Sequence, residues 1–189
     1  FHMTQHNQPD FGLPFVPLAN DIPANPTLVG YGNQVAPVPY SNYYGLIYRD
    51  HENISTHVGS VVVRHDFGGG TVLSNRTQAG RTYRDSIFSA PRFPVATSAL
   101  VNHELQSLDE TDTIASNQTD LTMKFSTGAA RHTVVTGVEF SRERSLNYPR
   151  GAFAPGTGPA NAAPLAATAF PATDMLHPDP FQPYSYSVQ

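Results

Sequence analysis

The amino-acid sequence predicts an all-β fold: an antiparallel meander of about five long strands forming part of a transmembrane β-barrel, with long extracellular loops. Three observations predict it. Prolines cluster in zones separated by proline-free stretches, those stretches are rich in β-formers that alternate apolar with polar, and the connections between strands alternate short with long.

Seven of the 17 prolines lie between Pro9 and Pro39, two are Pro91 and Pro94, and eight lie from Pro149 to Pro183. Proline has no N–H to donate to a β-ladder and is expelled from sheet interiors. The proline-free stretches 40–90 and 95–148 are therefore where strands belong. Within them the residues suit strands and show little helical period. His57 to His65 leads into Asp66-Phe67-Gly68-Gly69-Gly70 and on to Thr71-Val72-Leu73, a hairpin signal. Thr111 to Phe125 runs into Ser126 to Arg131, and His132 to Arg144 follows. Strands are expected at about 53–65, 71–87, 111–125 and 132–144, with a remnant at 1–7.

The turns at 66–70 and 126–131 are tight, whereas 8–52, 88–110 and 145–189 are long. Loops beyond about 15 residues are uncommon in compact domains. Short turns alternating with long loops are the pattern of outer-membrane barrels. The strands also exceed the roughly 9–11 residues that cross a bilayer. Val134, Val138 and Phe140 share one face of their strand, and Thr133, Gly137, Glu139 and Ser141 share the other. Leu121, Met123 and Phe125 oppose Asp120, Thr122 and Lys124; Val61 and Val63 oppose Ser60 and Arg64. Phe67 and Phe125 sit by the short turns, where an aromatic girdle belongs. One strand breaks the pattern: Leu73, Ala79 and Tyr83 share a face with Asn75, Thr77 and Arg81. Pattern alone leaves a soluble all-β protein as the alternative.

Composition narrows the classes. Charged residues make up 14% of the chain, against roughly 25% in soluble domains, so much of the surface need not face water. A net charge of −4 argues against a nucleic-acid binder. With no cysteine, disulfides and thiolate metal sites are impossible. No apolar run approaches the roughly 18 residues of a membrane helix, and no signal peptide is expected. Both ends read as cut through neighbouring strands.

Several segments resemble one family. Asp10-Phe11-Gly12-Leu13-Pro14-Phe15-Val16-Pro17 is similar to the opening of an outer loop in TonB-dependent siderophore receptors, particularly their catecholate-type branch. Ser41 to Leu46 and Tyr48-Arg49-Asp50 resemble that loop's return, and Arg64 to Gly68 with Thr71 to Asn75 the next periplasmic hairpin. Asn117 to Thr122 and His132 to Ser141 resemble the neighbouring hairpin. The likeness runs in order through nearly the whole chain, but covers a minority of such a receptor, whose barrel has about 22 strands around a plugged lumen. It implies a partial barrel domain over 1–189, with the plug domain and energy-coupling box outside it. It further implies ferric-siderophore reception and uptake at the outer membrane of a Gram-negative bacterium. The TonB system, engaged through the plug, and outer-membrane lipid are the implied partners, with no nucleic acid. No cofactor is expected, because the siderophore carries the iron. A passive porin-type channel and a soluble secreted β-sheet binding protein are the rival functions.

Triscatecholate iron complexes are anionic and aromatic, so arginine charge and aromatic stacking are their natural receptors. The candidates at strand tops or in loops are Tyr43, Tyr44, Arg49, Tyr83, Arg84, Arg92, Arg142, Arg144, Tyr148 and Arg150. No catalytic residue and no metal ligand is expected. His2 and His6 would stand about 13 Å apart on a strand, Gly68-Gly69-Gly70 lacks a phosphate loop's lysine, and no nucleophile elbow occurs. Asp109, Glu110 and Asp112 form an acidic cluster best read as solvated. The Ala-, Pro- and Gly-rich stretch 151–172 reads as flexible loop.

Overall fold

A computed structural model describes residues 1–23, 25–95, 98–148, 150–153 and 169–188. Most of the stretch expected to be flexible loop, 154–168, lies outside the described residues. The long strands are β1 (His2–Asn7), β4 (His51–Gly68), β5 (Thr71–Arg92), β6 (Leu100–Thr127) and β7 (Ala130–Asn147). Short strands lie between and after them: β2 (Phe15–Val16), β3 (Gln34–Val35), β8 (Ala152–Phe153), β9 (Ala172–Asp174) and β10 (Ser187–Val188). One sheet has the order β1-β4-β5-β6-β7, with β9 added to β6; β2 pairs β3 and β8 pairs β10.

The chain divides into two compact units. The strand unit comprises Phe1–Thr4, Ile54–Tyr83 and Glu110–Asn147. Its β6 and β7 are antiparallel in unbroken register from Glu110↔Asn147 to Thr127↔Ala130. Residues directly opposite share a face, and the register sorts the side chains sharply. One face carries Phe125, Met123 and Leu121 of β6 with Val134, Val138 and Phe140 of β7. The other carries Glu110, Asp112, Asp120 and Lys124 with Arg131, Glu139 and Glu143. The apolar face is left uncovered: Val61, Val63, Val138 and Phe140 are 64%, 61%, 51% and 70% exposed. A soluble sandwich would pack Val134, Val138 and Phe140 against a second sheet, and among the described residues nothing of the kind covers them.

Asn75 has a partner. Its Nδ2 donates to Asn117 Oδ1 (3.1 Å) and Thr119 Oγ1 (2.7 Å), while Asn117 Nδ2 donates to Asn75 Oδ1 (3.2 Å) and Thr77 Oγ1 (2.7 Å). The four polar groups that break the apolar pattern satisfy one another, and a group so paired escapes most of the penalty for leaving water. The β4–β5 turn is made by Gly68, Gly69 and Gly70, all at positive φ (80°, 61° and 83°), where only glycine sits without strain. Gly70 also accepts a bond from Lys124 N at 3.0 Å, which ties the turn to β6.

The second unit comprises Gln5–Asn53, Arg84–Asp109 and Tyr148–Gln189. The stretch 8–52, expected as an open loop, packs around a core of Val16, Leu28, Ala36, Val38, Tyr44, Val101 and Met175, with Leu13 and Phe93 against it. Proline bars these segments from long ladders but also restricts the unfolded chain, so less entropy is lost on ordering them. Asp21 closes one loop by accepting from Gly30 N (2.7 Å) and Gly32 N (3.2 Å).

Strand limits also differ from the sequence expectation. β5 runs on to Arg92 and β6 starts at Leu100, so most of 88–110 is strand. The alternation that marks a strand is absent there because Val101, Asn102 and His103 are all buried, at 0%, 2% and 0% exposure. A segment covered on both sides hides its period.

Candidate ligand-binding surface

The loop unit is built on a buried polar hub. Arg49 and Asp50 follow the one-turn bend at Leu46, where Arg49 N and Asp50 N both donate to Leu46 O (3.1 and 2.8 Å). The Arg49 guanidinium donates from Nε to Asp50 Oδ1 (2.7 Å), from Nη1 to the His103 carbonyl (3.1 Å) and the Tyr186 hydroxyl, and from Nη2 to Ser89 Oγ (2.5 Å). Asp50 Oδ2 accepts from Leu46 N (3.0 Å), Ser89 N (2.9 Å) and Ser89 Oγ (2.6 Å). His103 donates from Nδ1 to the Tyr44 carbonyl at 2.6 Å, and the Tyr44 hydroxyl donates to the Met175 carbonyl at 2.6 Å. The hub thus pins the returning end of the 5–53 segment to β5, β6 and the 169–188 segment. Burial pushes the Tyr44 phenol pKa up; it does the same for Tyr186 against the opposing pull of Arg49.

Two of the residues expected to contact ligand, Tyr44 and Arg49, lie inside the loop unit. Tyr44 is 1% exposed and Arg49 5%, and the guanidinium's donors are already engaged, so neither presents a surface to ligand. The Arg49–Asp50 pair is kept out of water by having its remaining hydrogen-bonding groups satisfied, and the Tyr44 hydroxyl is taken by the Met175 carbonyl.

The other candidates keep some exposure, with different neighbours. In the loop unit Tyr43 accepts from Gln8 Nε2 (2.8 Å) and donates to the Pro9 carbonyl (3.1 Å); burial raises its pKa. Arg84 Nε donates to Glu52 Oε1 (2.8 Å), the same carboxylate group that takes Asn7 Nδ2 (3.0 Å). Arg150 bridges Asp85 and Asp109, the latter at 2.9 Å, so one member of the acidic stretch, Asp109, has a dedicated cation. Tyr148 is exposed and held by its backbone N–H to the Asp109 carbonyl (2.8 Å). Tyr83, Arg142 and Arg144 belong to the strand unit.

Within the loop unit, Arg92 has a concave setting. It lines a groove of about 420 Å³ with Phe11, Leu13, Phe15, Leu18 and Phe93. Its own partner, Glu104, is distant at 3.7 Å, which leaves donors to spare. Phe11 stacks on Phe88 with centroids 5.5 Å apart and planes at 17°, yet Phe11 and Phe15 remain about half exposed. A flat aromatic anion is what rings and one guanidinium around an apolar floor can hold, through stacking, cation–π attraction and charge-assisted hydrogen bonds. The groove phenylalanines are not among the sequence-expected candidates; the trace they leave in the sequence is the period-2 spacing Phe11, Leu13, Phe15 inside a segment too rich in proline to be a long strand.

No protein-family model matches the chain. It is 30% identical over 188 residues to the catecholate siderophore receptor Fiu of Escherichia coli, aligning 94% of this chain with 22% of that protein. It is 24% identical over 147 residues to the probable TonB-dependent siderophore receptor PiuA of Acinetobacter baumannii, covering 77% of this chain and 19% of that protein. The chain therefore spans about a fifth of the length of these relatives. The crystal structure of the ferric-catecholate import receptor Fiu superposes with a TM-score of 0.70 at 29% identity, over 98% of this chain and 27% of that one. The PiuA structure superposes with a TM-score of 0.77 over 100% of this chain and 26% of that one, at 20% identity, a likeness of fold. By sequence and by fold, this chain matches a partial segment of the β-barrel of TonB-dependent siderophore receptors.

Proposed function

We propose that this chain is part of an outer-membrane receptor that binds ferric siderophore outside a Gram-negative cell and takes it up with TonB-supplied energy. The observation that carries the proposal is the sorting of the strand unit: an uncovered apolar face, with every carboxylate of the paired stretches Glu110–Thr127 and Ala130–Asn147 on the opposite face. A sheet so built suits hydrocarbon on one side and a wet lumen on the other. On this reading residues 1–189 belong to the barrel domain of such a receptor. The relatives are receptors and not enzymes, and transport of an intact chelate requires neither bond chemistry nor a resident cofactor.

Ligand contact is assigned first to Arg92 with Phe11, Phe15 and Phe93. Tyr43, Arg84, Tyr148 and Arg150 are secondary sites in the same unit; Tyr83, Arg142 and Arg144 would meet ligand only from the strand unit. The test is binding of a ferric triscatecholate to the membrane-inserted protein by quenching of intrinsic fluorescence, together with growth on that chelate as sole iron source. Arg92→Ala and Phe15→Ala should each weaken binding by about tenfold, the loss of one charge-assisted or stacking contact of roughly 1.4 kcal/mol. Unchanged binding in both variants overturns the groove. No binding of any ferric chelate by the unaltered protein overturns the receptor reading.

A further inference from the structure

His2 and His57 meet across two strands of the strand unit. Phe1 and Val58 exchange both backbone bonds, Phe1 N donating to Val58 O at 2.8 Å and Val58 N to Phe1 O at 3.0 Å. His2 therefore lies opposite His57 in the next, non-hydrogen-bonded pair of β1 and β4, where facing side chains approach most closely. Their Nδ1 atoms are 3.2 Å apart and their ring centroids 4.4 Å, and both residues are exposed. Along the chain, His2 has His6 for a neighbour, about 13 Å away on the strand, and no metal ligand was expected on that ground. Register supplies a closer partner, 55 residues distant in sequence.

The far side of each ring is engaged as well. His2 Nε2 lies 3.1 Å from Thr4 Oγ1, and His57 Nε2 lies 3.3 Å from Ser55 Oγ. Both hydroxyls come from the same face as the histidines, two residues along each strand. When they accept from the two Nε2–H groups, both Nδ1 atoms are left with lone pairs facing each other, and a proton or a cation between them relieves the repulsion. Metal-ligating histidines use this arrangement, one ring nitrogen on the metal and the other bonded to an outer partner. The spacing fits too. Two nitrogens about 2.0–2.1 Å from a metal ion and 3.2 Å from each other subtend about 103° at the ion, between the square and tetrahedral angles.

We infer that His2 and His57 form a cross-strand chelate for a divalent late first-row metal ion, Cu2+ ahead of Ni2+ and Zn2+, that ties β1 to β4. Imidazole suits these ions, and copper binds most strongly in the series. Among the described residues no third histidine, cysteine or carboxylate joins the pair, so water completes the shell. The site therefore takes a hydrated ion, not a metal already wrapped by a chelator. Ligation rests on the β1–β4 pairing alone; access rests on the outer-membrane reading. His57 shares its face with Val61, Val63 and Phe67, and stands ten residues from Phe67 at the turn. That is a tilted rise of roughly 25 Å, the height of a barrel's apolar band, so His57 reaches the band's upper edge and water.

The test adds copper(II) to the membrane-inserted protein in phosphatidylcholine nanodiscs and reads nitrogen ligation by electron paramagnetic resonance. One ion held by two imidazole nitrogens is expected. His2→Gln and His57→Gln should each remove one nitrogen and weaken binding by at least tenfold, since losing even an outer partner of a ligand costs about 10–100-fold; His6→Gln should match the unaltered protein. A one-nitrogen spectrum in the unaltered protein, or equal binding by all three variants, overturns the chelate and leaves the rings joined by a simple hydrogen bond. His2→Cys/His57→Cys keeps the pairing testable without metal: it should close to a disulfide in oxidised glutathione, and failure to close overturns the register on which the site depends. Two-nitrogen binding that occurs in detergent micelles but not in nanodiscs supports the chelate and overturns its placement at the upper edge of the membrane.

Discussion

Replacing Asp50 by alanine should release the loop unit while leaving the strand unit in place. Asp50 and Arg49 are 3% and 5% exposed and 2.7 Å apart. Asp50→Ala leaves the guanidinium buried without its counter-charge, which costs about 3–5 kcal/mol. It also strips acceptors from Leu46 N, Ser89 N and Ser89 Oγ, each worth about 1–3 kcal/mol if left dry; these do not add in full, because an opened hub admits water. A net loss of about 3–5 kcal/mol is comparable with the whole stability of a small domain, so the loop unit should open locally. Hydrogen exchange reads this directly: amides of 44–50, 86–90 and 100–103 should lose protection, and those of 117–125 should not. Arg49→Met/Asp50→Leu, with no charge left to strand, should recover much of the loss. Protection at 44–50 unchanged in Asp50→Ala would refute the claim that the hub organises the unit.

Three further outcomes follow from the strand unit. Asn75→Leu should strand Asn117, and Asn117→Leu should strand Asn75; a double-mutant cycle on barrel unfolding should give a coupling of about 1 kcal/mol, whereas additive effects would mean the amides do not support one another. Val138→Arg should destabilise the membrane-inserted protein by about 2–4 kcal/mol if Val138 faces mid-bilayer, while Gln118→Arg on the ionic face should be near neutral; the comparison is made by urea unfolding in vesicles. Gly137→Ala places a Cβ 2.9 Å from the Thr119 carbonyl and closer still to Asp120, so it should lower stability by about 1–3 kcal/mol, and Asp120→Ala should relieve only the side-chain part of that clash.

Legibility in the sequence followed physical circumstance. Strands 111–125 and 132–144 could be read because one face meets no protein and the other is ionic, which writes a period of two into Leu121, Met123, Phe125, Val134, Val138 and Phe140. Residues 100–110 could not, because Val101, Asn102 and His103 are enclosed on both sides and alternation has no cause there. Asn75 looked like an error of pattern because its partner Asn117 lies 42 residues away and pairing is a property of register. The core of the loop unit was hidden for a similar reason: Val16, Leu28, Val38, Val101 and Met175 are isolated in sequence and meet only in the fold. Among the candidate contacts, residue type alone could not separate Arg92, which is exposed, from Arg49, which is buried. The difference is burial, and burial is set by Ser89, His103 and Tyr186 arriving from distant segments.

Which face of β7 meets hydrocarbon is the claim on which the rest depends, and the chain's lack of cysteine makes it directly measurable. Single cysteines at each position from 134 to 141, spin-labelled in the membrane-inserted protein, report contact with oxygen dissolved in lipid and with a water-soluble relaxant. Positions 134, 138 and 140 should be relaxed by oxygen, and 139 and 141 by the aqueous agent. Uniform accessibility along the strand, or the opposite phase, would contradict the account.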